Sequence, residues 1–409
     1  MRGMTTAMTI GERIAFYRRR RGLSQLVLAG LTGRTEDWLS KVENGRIDLD
    51  RLSVIRRIAE ALDVTIGDLV GEPTLLEWTA DSGVQTVPAL RAALMDYRQI
   101  TPLLASPAIP GEAVDLGSLE TDVSEIFDAY QASRYGYVTG RTPLVLSDTL
   151  TAVRNAEQAE RRRALALLAL TYQVAVSVLT KLGETDLAWI ASERGLAAAQ
   201  ESESPVVLGS LFRSVAYALH STGRFAAGVD LVRTAAGVLE THLSTRTDES
   251  FLSVYGTLFL TGAVAAARAD DRASVNAFLR EAEDSAHRVG HDTNAMWTAF
   301  GPTNVALHRM TTALELGDVQ VAVDLALSID VTGLPAERQA RHAIETARAY
   351  AARNRRDDAL AVLLQAERIA PEQIRHHALS RQLVLSWIKS NRAHRDSVLD
   401  DLAGRLRLV

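Results

Sequence analysis

Residues 23–46, LSQLVLAGLTGRTEDWLSKVENGR, form the stretch that decides the fold of this chain. Ser24 and Thr35 are helix-capping residue types, and each stands just before a short amphipathic segment. Gly33 supplies a turn between the two segments, Ala29 is small where two helices would cross, and an Asn-Gly pair ends the second. The pattern predicts two short helices joined by a tight turn. It fits both a DNA-reading helix-turn-helix and two core helices of a larger domain.

Further helix signals on both sides extend this pair to five short helices between residues 9 and 70. Thr9 and Glu12 have the spacing of a capping box and open a helix that precedes the quoted stretch. A fourth helix is predicted from about Leu52 to Leu62, whose apolar residues recur at helical spacing, and a short fifth follows. The sequence therefore predicts a compact, all-helical N-terminal domain.

Composition limits the class of protein. The chain has 409 residues, of which 47% are hydrophobic and 23% charged, as in soluble globular proteins, and it is too long for one ordinary core. It contains no cysteine, which excludes disulfides and thiolate chemistry and fits a reducing cytoplasm. The sequence has neither a run of about 18 uncharged apolar residues nor a signal-peptide core, so we predict a cytoplasmic protein without a membrane span.

Charge is distributed unevenly along the chain. Residues 1–57 carry 12 Lys and Arg against 6 Asp and Glu, whereas residues 58–409 carry 33 against 44. A basic head on an acidic body is expected if only the head meets phosphate. A cluster such as Arg18 to Arg21 can also be a solvated helix end, so charge alone leaves both readings open.

The remainder of the chain indicates helical repeats. We place a linker and connecting helix at 71–117 and a repeat domain at 118–409. Five turn residues align with a small residue five positions later in each case. The turns are Gly183, Gly223, Ala269, Gly317 and Asn354, and the small residues are Ala188, Gly228, Ser274, Ala322 and Ala359. The turns lie 40, 46, 48 and 37 residues apart, which is typical of an α-solenoid. An irregular helical bundle is the alternative.

Signals for catalysis or metal binding are poor. No phosphate-binding loop, dinucleotide-binding glycine motif, zinc-protease helix or nucleophile elbow occurs in the sequence. His287 and His291 have i, i+4 spacing, but Gly290 lies between them and no partnering acid is evident. We therefore predict a protein that is not an enzyme and has neither a metal site nor a cofactor.

The third helix of the N-terminal domain is the candidate reading element. A helix that reads DNA must enter a groove about 12 Å wide and present short side chains from its first turns. Trp38, Leu39 and Val42 supply its apolar face. The opposite face carries Thr35, Glu36, Asp37, Ser40 and Lys41.

At these positions the segment resembles the Xre/Cro family of helix-turn-helix repressors. The family pattern runs L-S-Q-x-x-L-A-x-x-x-G-x-[ST]-x-x-x-[IL]-S-x-[IVL]-E-x-G. The matching residues are Leu23, Ser24, Gln25, Leu28, Ala29, Gly33, Thr35, Leu39, Ser40, Val42, Glu43 and Gly45. The resemblance covers residues 10–70 and implies a lambda-repressor-like domain of five helices that binds double-stranded DNA.

The resemblance also implies roles for individual residues. The groove-facing side chains would be Glu36, Asp37, Ser40 and Lys41. Gln25 would contact phosphate, and Arg46 would touch the backbone beyond it. Arg18 and Glu43 would form a buried ion pair between the first and third helices.

Two departures from the family pattern bear on the partners of this domain. Two acids in the reading helix repel phosphate unless one accepts from a cytosine amino group. Leu26, Val27 and Leu31 are more apolar than is typical, which favours packing of the head against the body or against a second head.

The body resembles tetratricopeptide-type repeats, and its pairing with such a head resembles bacterial one-component regulators that include peptide-pheromone receptors. In those receptors the repeats bind a ligand in their concave groove and form the homodimer. Counting the repeat register predicts the groove residues Gln173, Ser177, Arg213, Tyr217, Asn304, Leu307, Thr311, Arg341 and Arg348. His308 joins them because Gly301-Pro302 starts a helix abruptly beneath Asn304 and His308, although Pro at the first helical position is also ordinary helix chemistry. Amides and arginines of this kind can hold a peptide backbone or a carboxylate.

These observations predict an all-α transcriptional regulator. Its head would bind operator DNA, and its repeat domain would dimerise and sense a peptide or small-molecule effector. The alternative is a protein-interaction scaffold of helical repeats with a head that only localises it.

Overall fold

A computed structural model describes residues 8–47, 49, 51–64, 66–70, 86–99, 115–243, 248–390 and 397–408. Twenty-one α-helices lie in these ranges, and their only extended pairing is one isolated bridge between Thr293 and Phe300. The all-α prediction is confirmed. The helices form an N-terminal head and a larger body of stacked helix pairs.

The head consists of the five predicted helices. They are α1 (Ile10–Arg20), α2 (Gln25–Leu31), α3 (Glu36–Glu43), α4 (Leu52–Leu62) and α5 (Ile66–Val70). The Thr9 hydroxyl accepts from the Glu12 amide while the Glu12 carboxylate accepts from the Thr9 amide, so the capping box is present. Ser24 and Thr35 likewise accept from the amides of the residues three positions on. Local capping chemistry thus sets where three of the five helices begin.

The head core is apolar and tightly closed. Its fully buried side chains include Ile10, Ile14, Leu28, Leu39, Ile55, Ile58 and Leu69. Gly11 lies where α1 crosses α3, and a Cβ atom there would stand 2.1 Å from the Val42 carbonyl oxygen. Only a residue without a side chain allows the two helices to approach so closely.

The body begins with α6 (Val87–Leu94) and continues through fifteen more helices. These are α7 (Leu116–Gln131), α8 (Tyr135–Asn155), α9 (Gln158–Leu182), α10 (Thr185–Glu201), α11 (Pro205–Ser221), α12 (Phe225–Leu243), α13 (Glu249–Arg268), α14 (Arg272–Val289), α15 (Pro302–Leu316), α16 (Val319–Ser328), α17 (Ala336–Ala352), α18 (Arg356–Ile369), α19 (Pro371–His376), α20 (Ala378–Ser390) and α21 (Ser397–Arg405). Consecutive helices pack as antiparallel pairs, which is the arrangement of an α-solenoid.

All five predicted repeat turns fall between the two helices of a pair. The small residues that follow them are buried at the helix contacts: Ala188, Gly228, Ser274, Ala322 and Ala359. One further pair, α7 with α8, lies ahead of the first predicted turn. Small side chains at these places allow the paired helices to pack closely, which is why the pattern was visible in the sequence.

Two helices, α9 and α13, are long and apolar enough in composition to cross a membrane. Most of that apolar stretch is buried inside the protein, 78% of it in α9 and 94% in α13. In α13 every residue from Phe251 to Arg268 is buried. Their composition is therefore explained by a central position in the solenoid.

The connecting segment predicted at 71–117 is described only in part, because residues 71–85 and 100–114 lie outside the described ranges. Its helix is α6, which packs against α8 and α10. Val87, Leu90 and Leu94 are buried in the same cluster as α7, α8 and α9. This helix is therefore part of the repeat core.

The solenoid curls until its first pair, α7 and α8, meets α17 and α19. The hydroxyls of Ser133 and Tyr135 both lie 3.0 Å from Oε1 of Gln373, and the Gly136 amide donates to Glu372 at 3.0 Å. Between them, Lys181 of α9 pairs with Glu337 of α17. These contacts join residues more than 150 positions apart and close the inner surface into a cavity.

The segment between α14 and α15, residues 290–301, crosses this interior. Met296, Trp297 and Ala299 have φ angles of 52°, 53° and 48°, in the left-handed region that side chains other than glycine rarely adopt. The Trp297 ring stacks on Phe127 at a centroid distance of 4.2 Å, and its indole N–H donates to Asp128 at 3.1 Å. Contacts to α7 hold this backbone in place.

The head docks on the body through α1 and α4. Arg51 Nε donates to the Glu315 carbonyl at the end of α15 at 2.8 Å. Arg57 pairs with Asp270 beside the end of α13. On the other side, Lys389 of α20 pairs with Glu12 of α1. Mostly polar contacts thus hold the two parts together.

Candidate nucleic-acid interface and ligand cavity

The outer face of α3 is open. Thr35, Glu36 and Asp37 are exposed, and Ser40 and Lys41 are half-buried, while Leu39 and Val42 are buried in the head core. Lys41 Nζ lies 2.7 Å from the Asp37 carboxylate, one turn back along the helix. That ion pair offsets one of the two acids that would otherwise repel phosphate.

The predicted ion pair between α1 and α3 is confirmed. Arg18 donates to both carboxylate oxygens of Glu43, from Nε at 2.6 Å and from a terminal nitrogen at 2.8 Å. This hydrogen bonding raises the pKa of Arg18. The Gln25 side chain also donates to Glu43, at 2.7 Å, so its amide is held beside α3. The start of α2 is thereby fixed against the reading helix.

Basic side chains flank the outer face of α3. The Arg34 guanidinium lies over the Trp38 ring, 5.1 Å from its centroid, just before the helix. Arg46 is exposed just after it. Lys41 lies between them on the helix itself. A positive charge is therefore present before, on and after the candidate reading face.

The body does not cover this face. The docking contacts involve Glu12 of α1, Arg51 just before α4, and Arg57 of α4. A cleft of about 390 Å³ separates the end of α3 from α20. The side of α3 that carries Glu36 and Asp37 is exposed in the docked arrangement.

The second candidate site is the cavity inside the curled solenoid, of about 100 Å³. Eight of the predicted groove residues line it: Ser177, Arg213, Tyr217, Asn304, Leu307, His308, Thr311 and Arg341. Gln173 and Arg348 lie behind the cavity wall. The Gln173 side chain is buried and finds no hydrogen-bond partner among the residues that the structure describes, and Arg348 pairs with the carboxylates of Glu315 and Glu345.

The charged residues that line the cavity were only partly predicted. Lys181, Glu337, Arg338 and Glu345 line it as well. With Arg213 and Arg341 they give four cations against two carboxylates, a net charge of +2. Neighbouring arginines keep both carboxylates ionised, because their charges outweigh burial and lower the pKa of Glu345 to about 2 and that of Glu337 further.

The histidines of the interior are neutral. Burial lowers the pKa of His308 to about 3, and the nearby Arg338 contributes. Its Nδ1 lies 2.8 Å from the Asn304 carbonyl oxygen, so this nitrogen carries the proton and donates. Burial and the neighbouring Arg268 likewise hold the pKa of His220 well below its ordinary value. These imidazoles therefore add no positive charge to the cavity at neutral pH.

Three aromatic residues of the cavity were missed in the sequence. Phe127, Tyr130 and Trp297 line one side of it. Phe127 and Tyr130 belong to α7, which precedes the repeats that were aligned, and Trp297 lies in the irregular segment 290–301. No repeat register applies to either place. The one available signal was the abrupt Gly-Pro helix start that follows Trp297 in the sequence.

Comparison with known proteins agrees with the geometry of the head. Residues 9–72 match the family model of the helix-turn-helix domain. The immunity repressor protein of Bacillus phage phi105 is 34% identical over 70 residues, which cover 17% of this chain and 48% of that protein. The chain thus spans about half the length of the curated relative that it matches. Residues 9–72 are a helix-turn-helix domain, and the chain joins it to a helical-repeat domain.

Similarity to solved structures is remote. BtubC (BKLC) from P. vanneervenii gives a TM-score of 0.38 at 14% identity, covering 62% of this chain and 91% of that one. Bacillus thuringiensis PlcR, solved in complex with the peptide PapR7 and DNA, gives a TM-score of 0.29 at 12% identity, covering 69% and 95%.

Proposed function

We propose that this protein is a cytoplasmic, one-component transcriptional regulator whose head binds operator DNA with α3 in the major groove. The observation that carries the proposal is the open outer face of α3 on a basic domain that also matches a helix-turn-helix family. Lys41, Ser40 and the two acids at the start of α3 would meet base edges. Gln25 and Arg46 would meet phosphates on either side.

The repeat domain would bind an effector, a peptide or a small molecule, in the cavity. Support comes from the eight predicted residues that line the cavity, seven of them from the repeat register, and from the mixture of apolar and charged groups around them. Ligand binding would change the placement of the heads by favouring one of two arrangements.

A chain of contacts supports coupling between the cavity and the head. Glu345 lines the cavity and pairs with Arg348 behind it. Arg348 also pairs with Glu315, 3.3 Å away, and the backbone carbonyl of Glu315 accepts the hydrogen bond from Arg51 of the head. A ligand that moves Glu345 would therefore act on the residue at which the head docks.

Homodimerisation is the third part of the proposal. Leu26 and Leu31 on α2 are each 62% exposed. An apolar patch on a basic head fits contact with a second head. Two heads would read half-sites about one helical turn apart. Sedimentation of the full chain with and without Leu26→Ser tests this, and a monomer at all concentrations would exclude it.

Selection of binding sites from random duplex DNA with the full chain tests the DNA-binding proposal. We expect an enriched, two-fold related sequence whose affinity falls steeply with salt. Lys41→Ala should reduce discrimination against a mismatched base at least tenfold. Gln25→Ala should weaken binding to all sequences. Arg280→Ala, an exposed position on α14, is the matched control.

The scaffold alternative predicts a different result. In that case no sequence is enriched, and Lys41→Ala and Gln25→Ala bind duplex DNA as the unchanged protein does. Either outcome would overturn the assignment of α3 as the reading helix.

A further inference from the structure

The interior of the solenoid has the opposite charge to the domain that contains it. Residues 118–409 carry 31 Lys and Arg against 35 Asp and Glu, yet the cavity lining carries four cations and two carboxylates. The layer behind the lining adds Arg268 and Arg348 against Glu315. Concentrating positive charge inside an acidic domain opposes stability unless something compensates it.

Arg213 is a lining cation without a direct hydrogen-bond or ion-pair partner among the described residues, and the buried carboxylate of Glu337 acts on its charge from a distance. Burial, together with the charge of Arg338, lowers the pKa of Arg213 to about 10, so the guanidinium remains charged at neutral pH. A guanidinium with five N–H donors and no acceptor is a site for an oxyanion.

A second cation and apolar surface lie nearby. Arg338 lines the same cavity, and its ion-pair contact within the described part of the chain, to Glu337, is 3.4 Å long. Phe127 and Trp297, stacked on each other, supply aromatic surface in the cavity, and Leu307 and Val264 add aliphatic surface. The lining therefore combines an anion-binding part with an apolar part.

The shape of the interior favours a compact ligand over an extended chain. Contacts from Tyr135 to Gln373 and from Lys181 to Glu337 close the curled solenoid, and residues 290–301 cross its inside. An extended peptide needs an uninterrupted groove along the repeats, whereas this interrupted space suits a compact molecule.

We infer that the cavity binds a small amphipathic organic anion, whose carboxylate-like group is held by Arg213 and Arg338 and whose aromatic or aliphatic part lies against Trp297. The inference rests on the proposed sensing function and specifies the chemical class of the effector. The ligand completes a charge pair that the folded chain lacks, so binding and stability are linked.

The test uses two fluorescent probes that differ by one charged group. These are 1-anilinonaphthalene-8-sulfonate and the uncharged N-phenyl-1-naphthylamine, titrated into the full-length protein. We expect saturable binding of the anionic probe at one site per chain. Arg213→Gln and Arg338→Gln should each weaken it about tenfold to a hundredfold, the effect of losing one charge-assisted hydrogen bond. Binding of the neutral probe should change less than about twofold, and Arg280→Gln should bind both probes like the unchanged protein.

Folding of the variants is checked by thermal unfolding. Because Arg213 is a half-buried cation without a partner, Arg213→Gln should keep or raise the melting temperature while it loses the anion. A merely structural arginine would show the reverse.

Three results would overturn the inference: equal binding of the anionic probe by Arg213→Gln, equal losses for both probes, or no saturable site. Competition then tests the class of ligand. We expect 3-phenylpropionate to displace the anionic probe, and displacement by a mixture of hexapeptides alone would contradict a small-molecule ligand. None of these measurements involves DNA, so site selection on duplex DNA can succeed or fail independently of them.

Discussion

Replacing Glu43 by Gln is expected to loosen the reading helix without touching its outer face. The Glu43 carboxylate accepts two hydrogen bonds from Arg18 and one from Gln25, at 2.6–2.8 Å. The side chains of Arg18 and Glu43 are only 12% and 5% exposed. A glutamine of the same shape can accept from one of these donors, but it turns its own amide group towards the others.

The magnitude follows from this geometry. Removing one partner of a buried ion pair costs about 3–5 kcal/mol. Arg18 retains some access to water and one hydrogen bond survives, so we expect a loss of about 2–3 kcal/mol in the free energy of opening the head. This corresponds to a population of opened molecules that is about 30-fold to 150-fold larger.

Hydrogen exchange followed by mass spectrometry measures that population directly in the full chain. Exchange should accelerate by this factor in peptides covering residues 10–20 and 36–43, and should stay unchanged in α13. The matched control is Glu60→Gln, because Glu60 pairs with Arg56 at 2.6 Å on the surface, with 59% of its side chain exposed. Such a pair contributes less than about 1 kcal/mol. Equal acceleration in the two variants would refute the reasoning.

Three further outcomes are expected. Arg51→Ala removes the hydrogen bond and the charge that hold α4 to the ends of α13 and α15. Small-angle scattering should then show a larger radius of gyration. An unchanged radius would exclude docking through these contacts. Gly11→Ala places a Cβ atom 2.1 Å from a backbone oxygen and should destabilise the head by more than about 2 kcal/mol, whereas Gly30→Ala has open space and should be neutral or stabilising in a melt. His308 stays neutral in the folded protein down to about pH 3, whereas in the unfolded chain it takes up a proton below about pH 6.5. The free energy of unfolding should therefore fall as the pH drops below 6.5. His308→Gln should reduce this dependence of the unfolding free energy on pH, and the exposed control His287→Gln should not.

The head could be predicted almost completely because its signals are local. Each cap lies within three residues of the amide that it satisfies, as with Thr9, Ser24 and Thr35. The five repeat turns were visible for a related reason, since the contact between two neighbouring helices requires a small side chain at a fixed offset from the turn. The buried pair of Arg18 and Glu43 spans 25 residues, and it came from the family resemblance rather than from the pattern.

The cavity could be predicted only in part because its closure is not local. Lys181 and Glu337 lie 156 positions apart, and nothing in the repeat register brings α9 to α17. The register placed Arg213 and Arg341 correctly on the lining but also predicted Arg348 there, which the carboxylates of Glu315 and Glu345 hold behind the wall. The curl of the whole solenoid decides these contacts, and it depends on small rotations that accumulate over successive pairs.

Two features that oppose folding lie close together in this chain. The left-handed backbone at Met296 and Trp297 and the guanidinium of Arg213, which has no direct partner among the described residues, each oppose folding, by about 1–3 kcal/mol for each strained residue alone. Trp297 and Arg213 both line the same cavity. Features that cost stability and meet at one cavity are expected where a site is selected for binding, which agrees with the effector site that we propose. Glu337 offsets part of the charge of Arg213, and the anionic effector that we propose would supply a direct partner.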